Sequence, residues 1–194
     1  MRQSTTTRQL QCASILSVIL LVPVTSFFGP GLRAQGSDQF DIIRQIHHSL
    51  QDDSWEIRNP TVTRQMTEYP TIVFREGDKV VVTASGCVQT GGKGLTWKRY
   101  VDPQGPNADQ LYHGLVSIPF ATNGLVRINT VNRKTLSLPA RFPDSPAPLH
   151  LRLGYEDGKD DYGDNGYWGH DAGTGDQCKS EKNAVVVVRI THAG

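Results

Sequence analysis

The stretch that decides the fold reads Pro70-Thr-Ile-Val-Phe-Arg-Glu-Gly-Asp-Lys-Val-Val-Val-Thr-Ala84. Two runs rich in β-branched residues flank a turn at residues 75–78, which is the sequence pattern of a β-hairpin. Further strand-like runs occupy residues 55–58, 115–118, 125–128, 149–153 and 184–190. Roughly seven or eight short strands, separated by Gly, Pro and Asn clusters, predict an all-β sandwich.

The N-terminal residues 1–34 have the pattern of a secretory signal peptide. Arg2 and Arg8 precede an apolar run at residues 13–28, and small and turn-forming residues lead to a cleavage region near Ala34. The run is shorter than the roughly 20 apolar residues that a membrane-spanning helix needs, and an uncleaved membrane anchor is the alternative. The pattern predicts a secreted or periplasmic protein with no membrane span in the mature chain.

Removal of this leader changes both the charge and the cysteine count. Three of the 20 basic residues leave, so 17 remain against 19 acidic residues. A mildly acidic mature chain argues against a nucleic acid or an anionic membrane as partner. Cys12 also leaves, and Cys87 and Cys178 remain. In an oxidising compartment these two are expected to form a disulfide, with two separately buried thiols as the alternative.

Residues 38–50 are expected to form a short N-terminal helix. Apolar residues recur there at spacings near 3.6, the period of an amphipathic helix; they are Phe40, Ile43, Ile46 and Leu50. The predicted domain organisation is therefore a signal peptide over residues 1–34, a helical linker over residues 35–53 and a β-sandwich domain over residues 54–194.

Acidic residues crowd the segment Tyr155-Glu-Asp-Gly-Lys-Asp-Asp-Tyr-Gly-Asp-Asn-Gly-Tyr-Trp168. Calcium is held by about six to eight oxygen atoms from carboxylates, amides, backbone carbonyls and water, and glycines let the backbone wrap around the ion. The segment therefore predicts a calcium-binding loop, with a solvated acidic surface loop as the alternative. An EF-hand is excluded because Ala172 stands where the bidentate glutamate belongs.

The same segment resembles the calcium loop of PA-IL-type galactophilic lectins. The matching pattern is Tyr155-Glu-Asp157, three residues, and Asp161-Tyr-Gly-Asp-Asn165, without gaps. Gly77-Asp-Lys-Val-Val-Val-Thr-Ala-Ser-Gly86 is similar to a strand phrase of that family, and the likeness covers roughly residues 54–190. The resemblance implies a jelly-roll, galactose-binding-like β-sandwich that binds galactose-containing glycans through calcium.

The resemblance also implies a set of calcium ligands. The ion would be held by the side chains of Asp157, Asp164 and Asn165 and by the backbone carbonyls of Asp161 and Thr90. Two neighbouring sugar hydroxyls would then complete the coordination, in contact with Asp157 and Asn165. Asp164 stands where the family has asparagine, which adds negative charge to the expected site.

Sugar contacts are implied by a second match. The family's His-Pro-Asp-Gln stretch corresponds to Asn107-Ala-Asp-Gln110, so Asn107 and Gln110 are the expected contacts, with Asn107 in the histidine position. Trp97 and Tyr100 are expected either to stack on a sugar face or to pack their loop against the sandwich. Lectins of this type gain avidity by multivalency, which leaves a homo-oligomer open.

The chain lacks the sequence motifs of common hydrolases and nucleotide-binding enzymes, including Gly-x-Ser-x-Gly, His-Glu-x-x-His and a phosphate-binding glycine loop. We therefore predict a protein without enzymatic activity. A zinc site at His113, His170 and Asp171 is a weaker alternative, because these residues lack the spacing of a ligand cluster. Two hypotheses remain: a calcium-dependent carbohydrate-binding protein, or a structural or protein-binding module that calcium and the disulfide stabilise.

Overall fold

The computed structural model describes residues 39–91, 96–144, 149–158, 161–167, 178–179 and 181–194 of the 194-residue chain. The predicted signal peptide lies outside the described residues. Within them, the chain forms short strands and one short helix. Their bounds are β1 Ile42–His48, β2 Asp52–Arg58, β3 Met66–Val73, β4 Lys79–Ser85, β5 Cys87–Gln89, β6 Trp97–Arg99, β7 Gly114–Ser117, β8 Val126–Arg127, α1 Ile128–Val131, β9 Thr135–Ser137, β10 His150–Tyr155 and β11 Val185–Thr191. No helix in the described part of the chain is long and apolar enough to cross a membrane.

The strands pair antiparallel into two main sheets within the described ranges. The first sheet has the order β1-β2-β11-β4-β9, and the second has the order β3-β10-β7-β8. Strands β5 and β6 form a separate two-stranded ribbon. Sequence neighbours such as β10 and β11 therefore lie in different sheets.

A hydrophobic core lies between the two main sheets. Along β11, the buried residues Val186, Val188 and Ile190 alternate with more exposed ones, and they share one cluster with Leu151 and Leu153 of β10. This period of two is what a strand with one face on a core requires. Burial of each such side chain contributes about 1.5–3 kcal/mol relative to exposure, which fixes the register of β11. The predicted all-β sandwich is confirmed.

Strand β1 corrects the predicted N-terminal helix. Residues Ile42–His48 pair antiparallel with β2, so the helix expected over residues 38–50 is wrong. The pairing register shifts between Gln45 and His47, which leaves Ile46 as the extra residue of a β-bulge and mimics a helical spacing. All of β1 is exposed. No buried face therefore imposes the alternation on which strand prediction depends.

Strands β3 and β4 are both present, but they do not form the predicted hairpin. β3 pairs with β10 in the second sheet, whereas β4 pairs with β11 and β9 in the first. The turn at residues 75–78 crosses between the sheets, and the Asp78 carboxylate accepts the Arg75 N–H at 2.7 Å. The sequence pattern identifies two strands and a turn, but both a hairpin and a sheet-to-sheet crossing satisfy it.

A histidine joins the ends of three strands of the first sheet. His192, which follows β11, donates from Nδ1 to Asp78 at 2.9 Å and from Nε2 to Asp53 at 3.2 Å. Asp78 is completely buried, and a buried carboxylate needs such a partner. Burial alone lowers the pKa of His192, but the hydrogen bonds to Asp78 and Asp53 outweigh it and raise the pKa above the ordinary value.

The predicted disulfide is present between Cys87, at the start of β5, and Cys178. The two Cα atoms lie 6.0 Å apart, across a sequence separation of 91 residues. Trp97 of β6 is fully buried and packs with both cysteines. Cross-linking so long a loop restricts the unfolded chain, an effect of about 2–5 kcal/mol in small exported domains. The disulfide therefore fixes Cys178 beside the ribbon of β5 and β6.

Candidate functional site

The acidic loop begins where β10 ends at Tyr155. Asp157 is half-buried, and its carboxylate accepts two hydrogen bonds: the Gly158 N–H donates to Oδ1 and the Asn165 Nδ2 donates to Oδ2, each at 2.6 Å. These contacts fix the carboxylate at the base of the loop. They also bring together Asp157 and Asn165, two of the residues that the sequence predicts as calcium ligands.

Asn165 is the deepest residue of the predicted ligand set. Its side chain is completely buried, and Nδ2 also donates to the Val62 carbonyl at 3.1 Å. Both donors of the amide therefore point to protein oxygens. The remaining acceptor, Oδ1, is buried and has no hydrogen-bond partner in the described part of the chain. A buried acceptor without a partner is costly, and a hard cation is a partner that would satisfy it.

The ribbon brings Thr90 to the same place. Gln89 and Gly166 exchange two backbone hydrogen bonds, of 2.9 and 3.0 Å, which pair the end of β5 with the acidic loop. Gly91 follows Thr90 with φ +69°, and a Cβ atom there would overlap the Asp164 carboxylate. Only glycine fits this approach. The structure thus places the backbone of Gly91, the residue after Thr90, next to the Asp164 carboxylate.

Electrostatics also mark this cluster. Burial raises the pKa of Asp157, the charges of Asp164 and Asp161 raise it further, and the hydrogen bonds from Asn165 and Gly158 oppose the rise. Within the described ranges, no group of three His, Cys, Asp or Glu side chains is arranged to hold a metal ion. A cation here would therefore need the Asn165 amide and backbone carbonyls as well as carboxylates, which is the mixed oxygen set typical of calcium.

Residues 107–112 form a second loop that lies against the first. The Tyr112 N–H donates to the Glu156 carbonyl at 2.8 Å. Arg127 donates to the carbonyls of Asp109 at 2.9 Å and Gln110 at 3.2 Å, and pairs with Glu156 at 2.8 Å. These bonds fix the second loop beside Asp157.

The two predicted sugar contacts both lie on this second loop, and both are exposed: Asn107 and Gln110. Tyr112 is a residue that the sequence reasoning missed. It has φ +72° and its ring is half-buried. In the sequence, the only indication of Tyr112 was an aromatic residue two positions after Gln110.

The structure corrects the proposed role of Trp97. The indole is fully buried with the disulfide, so it packs the ribbon and has no exposed face for a sugar. Tyr100 is also fully buried and stacks on Tyr155 with ring centroids 6.1 Å apart. The packing alternative therefore holds for both residues. The sequence offered no means to choose, because ribbon and binding-loop aromatics look alike.

The zinc alternative gains nothing from the described residues. His113 is buried, and its Nε2 lies 2.8 Å from the Ala108 carbonyl, so one ring nitrogen is used within the fold. His170 and Asp171 lie outside the described residues.

Comparisons with known proteins find similarity to solved structures. No protein-family model matches the chain, and no curated protein matches it. A solved structure described as "EclA N-terminal domain; PllA-like lectin" is similar to this chain. The sequence identity is 14%, the match covers 74% of this chain and 97% of that chain, and the TM-score is 0.38. A likeness of this extent assigns no function.

Proposed function

We propose that this chain is an exported, calcium-dependent carbohydrate-binding protein. The observation that carries the proposal is the buried Asn165 Oδ1, which has no hydrogen-bond partner in the described part of the chain and belongs to a side chain whose Nδ2 donates to the Asp157 carboxylate. An orphaned amide oxygen next to clustered carboxylates fits a cation site better than a structural loop, because a structural loop would be expected to pair that oxygen within the protein.

Five residues would hold calcium: Asp157, Asp164 and Asn165 through side-chain oxygens, and Asp161 and Thr90 through backbone carbonyls. When bound, calcium supplies an electropositive centre that takes two neighbouring sugar hydroxyls in place of water. The chain's own residues hold and orient the sugar. Ionised carboxylates accept hydrogen bonds from its hydroxyls, and the exposed side chains of Asn107 and Gln110 reach it from the second loop. We propose galactose-containing glycans as the first ligands to test.

A second candidate function has its own support. The Gln89–Gly166 pair ties the acidic loop to β5, the Asn165 hydrogen bond ties it to Val62, and the disulfide ties Cys178 to the same ribbon. The acidic loop is therefore held against the fold by contacts that do not involve a sugar. Calcium would then only stabilise a structural or protein-binding module. Both candidate functions include export through residues 1–34, and both allow a homo-oligomeric state.

Isothermal titration of the purified protein separates these functions. Calcium is titrated into chelator-treated protein, and D-galactose is then titrated into the calcium-loaded protein, followed by a glycan array. Saturable calcium binding followed by sugar binding supports the lectin function. Calcium binding with no sugar on the array supports the structural module. Absence of calcium binding by wild type rejects both, and Asp157→Ala should bind calcium far more weakly than wild type.

A further inference from the structure

Tyr112 lies at the junction of the two loops in an unusual backbone conformation. A bulky residue with φ +72° is a genuine outlier and persists only where its surroundings fix it. Here the Leu111 N–H donates to the Asn107 carbonyl at 2.9 Å, and the Tyr112 N–H donates to the Glu156 carbonyl. The Glu156 N–H in turn donates to the His113 carbonyl at 2.9 Å. The backbone on both sides of Tyr112 is thereby fixed.

The phenol ring is held as firmly as its backbone. The Lys98 ammonium lies 5.5 Å from the ring centroid and donates to the Gln104 carbonyl at 2.7 Å. Lys98 is itself buried, so this cation has a fixed place beside the ring. The remaining ring surface packs in part against the core. A side chain held in this way loses little conformational entropy when a ligand binds.

Tyr112 lies next to the candidate calcium site, because its N–H donates to the carbonyl of Glu156, the residue before Asp157. Burial raises the pKa of Tyr112 and so does the charge of Asp157; a hydrogen bond from the Asn107 side chain lowers it, and the charge of Asp164 raises it. The phenol is therefore protonated at neutral pH and lies within electrostatic reach of two predicted calcium ligands. It also adjoins Asn107, the expected sugar contact on the second loop.

We propose that Tyr112 is a specificity-determining residue whose hydroxyl binds the saccharide at the second loop, beside Asn107. This inference rests on the proposed carbohydrate-binding function. Ionised carboxylates can only accept hydrogen bonds, so they bind sugar hydroxyls that act as donors. The Tyr112 O–H supplies a donor at a fixed position and selects sugars that present an acceptor oxygen there. Calcium binding itself does not require this hydroxyl.

The test compares two variants that each remove one hydroxyl. Tyr112→Phe removes the proposed contact, and Tyr155→Phe is the matched control because Tyr155 is fully buried and its hydroxyl has no partner in the described part of the chain. Each protein is titrated with calcium alone, and the calcium-loaded protein is then titrated with D-galactose and with D-mannose. For Tyr112→Phe we expect calcium affinity within about twofold of wild type and saccharide affinity about five- to tenfold weaker. Tyr155→Phe should match wild type in both.

Each other outcome overturns a specified claim. Unchanged saccharide affinity in Tyr112→Phe overturns the inference and leaves the proposed function standing. An equal loss in Tyr155→Phe, or a parallel loss of calcium affinity in Tyr112→Phe, overturns it because the effect is then structural. Failure of wild type to bind either sugar in calcium overturns the inference together with carbohydrate binding as tested by these two probes.

Discussion

Replacing Asn165 by alanine tests the candidate metal centre most directly. The change removes two hydrogen bonds, from Nδ2 to the Val62 carbonyl at 3.1 Å and to the Asp157 carboxylate at 2.6 Å. It also removes Oδ1, the buried acceptor that we assign to calcium. The hydrogen bonds act with or without the ion, whereas Oδ1 contributes only when the ion is bound. The calcium-free and calcium-loaded proteins should therefore lose different amounts of stability in Asn165→Ala.

Without calcium the expected loss of stability is small. The neutral hydrogen bond contributes about 1 kcal/mol and the charge-assisted one about 1.5–3 kcal/mol. Removing the unpartnered Oδ1 offsets about 1–3 kcal/mol of that loss, because its desolvation cost disappears. The net destabilisation is about 1–2 kcal/mol, which lowers Tm by about 2–8 °C in a domain of this size.

With calcium the expected loss is larger. A thousandfold excess of calcium over Kd stabilises the wild type by about 4 kcal/mol, equivalent to about 8–16 °C. If loss of the Asn165 oxygen weakens calcium binding about a hundredfold, about 2.7 kcal/mol of that stabilisation disappears. The calcium-induced rise in Tm should then fall to about one third of the wild-type rise.

Scanning calorimetry in chelator and in saturating calcium measures both numbers. Asn132→Ala is the matched control, because Asn132 Oδ1 accepts the Ala84 N–H at 3.1 Å and lies outside both loops of the site. This control should lower Tm yet retain the full calcium response. A full wild-type calcium response in Asn165→Ala would refute the assignment of Oδ1 to calcium.

Three further predictions concern other parts of the fold. Gly91→Ala places a Cβ atom on the Asp164 carboxylate at φ +69°; the calcium-induced rise in Tm should fall by about half or more, and an unchanged rise in calorimetry contradicts the placement of Asp164. The pKa of His192 is raised above 6.5 in the folded state, so its stabilisation is complete below that value and is lost as pH rises through the folded-state pKa. In urea unfolding, the loss of unfolding free energy in His192→Gln should therefore be largest near about pH 6 and smaller toward about pH 9. A loss that does not change with pH contradicts the raised pKa of His192. Removing the disulfide in the double variant Cys87→Ala, Cys178→Ala should lower Tm by about 4–20 °C, and reductant should then affect only the wild type.

Strands with one buried face could be predicted from the sequence, but strand pairing could not. Val186, Val188 and Ile190 alternate with more exposed residues, and one buried face produces that pattern. β1 has no buried face, so the spacing of its isoleucines reflects the β-bulge and not contact with a core. That spacing predicts a helix, and the prediction is wrong. The prediction of a hairpin from β3 and β4 was wrong for a different reason. Two strands that pair within one sheet and two strands in facing sheets have the same local sequence pattern. Only contacts between residues distant in sequence distinguish the two arrangements.

The candidate site shows the same division. Its acidic residues and glycines are adjacent in sequence, so an ungapped resemblance to the PA-IL-type calcium loop implied separate roles for Asp157, Asp164 and Asn165, and these roles stay predictions. Roles that depend on neighbours distant in sequence were less predictable. Trp97 packs on the disulfide, and Tyr112 reaches the acidic loop only because Glu156 accepts its N–H. Neither fact follows from local composition, since each depends on the way two loops meet.

Protein hydrogen bonds join the two loops, such as the one from the Tyr112 N–H to the Glu156 carbonyl, and this bears on how the proposed site would work. The Gln89–Gly166 pair fixes the acidic loop to β5, and the Arg127 side chain fixes the second loop through the carbonyls of Asp109 and Gln110. Burial raises the pKa of Asp157, and the charges of Asp164 and Asp161 raise it further, so the acid cluster is held together against its own repulsion. A site formed in advance lowers the stability of the free protein and raises its affinity for a cation by the same physical cause. Calcium stabilisation and calcium affinity should therefore decline together in any variant that disperses these carboxylates, whereas a variant that alters only the sugar contacts should leave both unchanged.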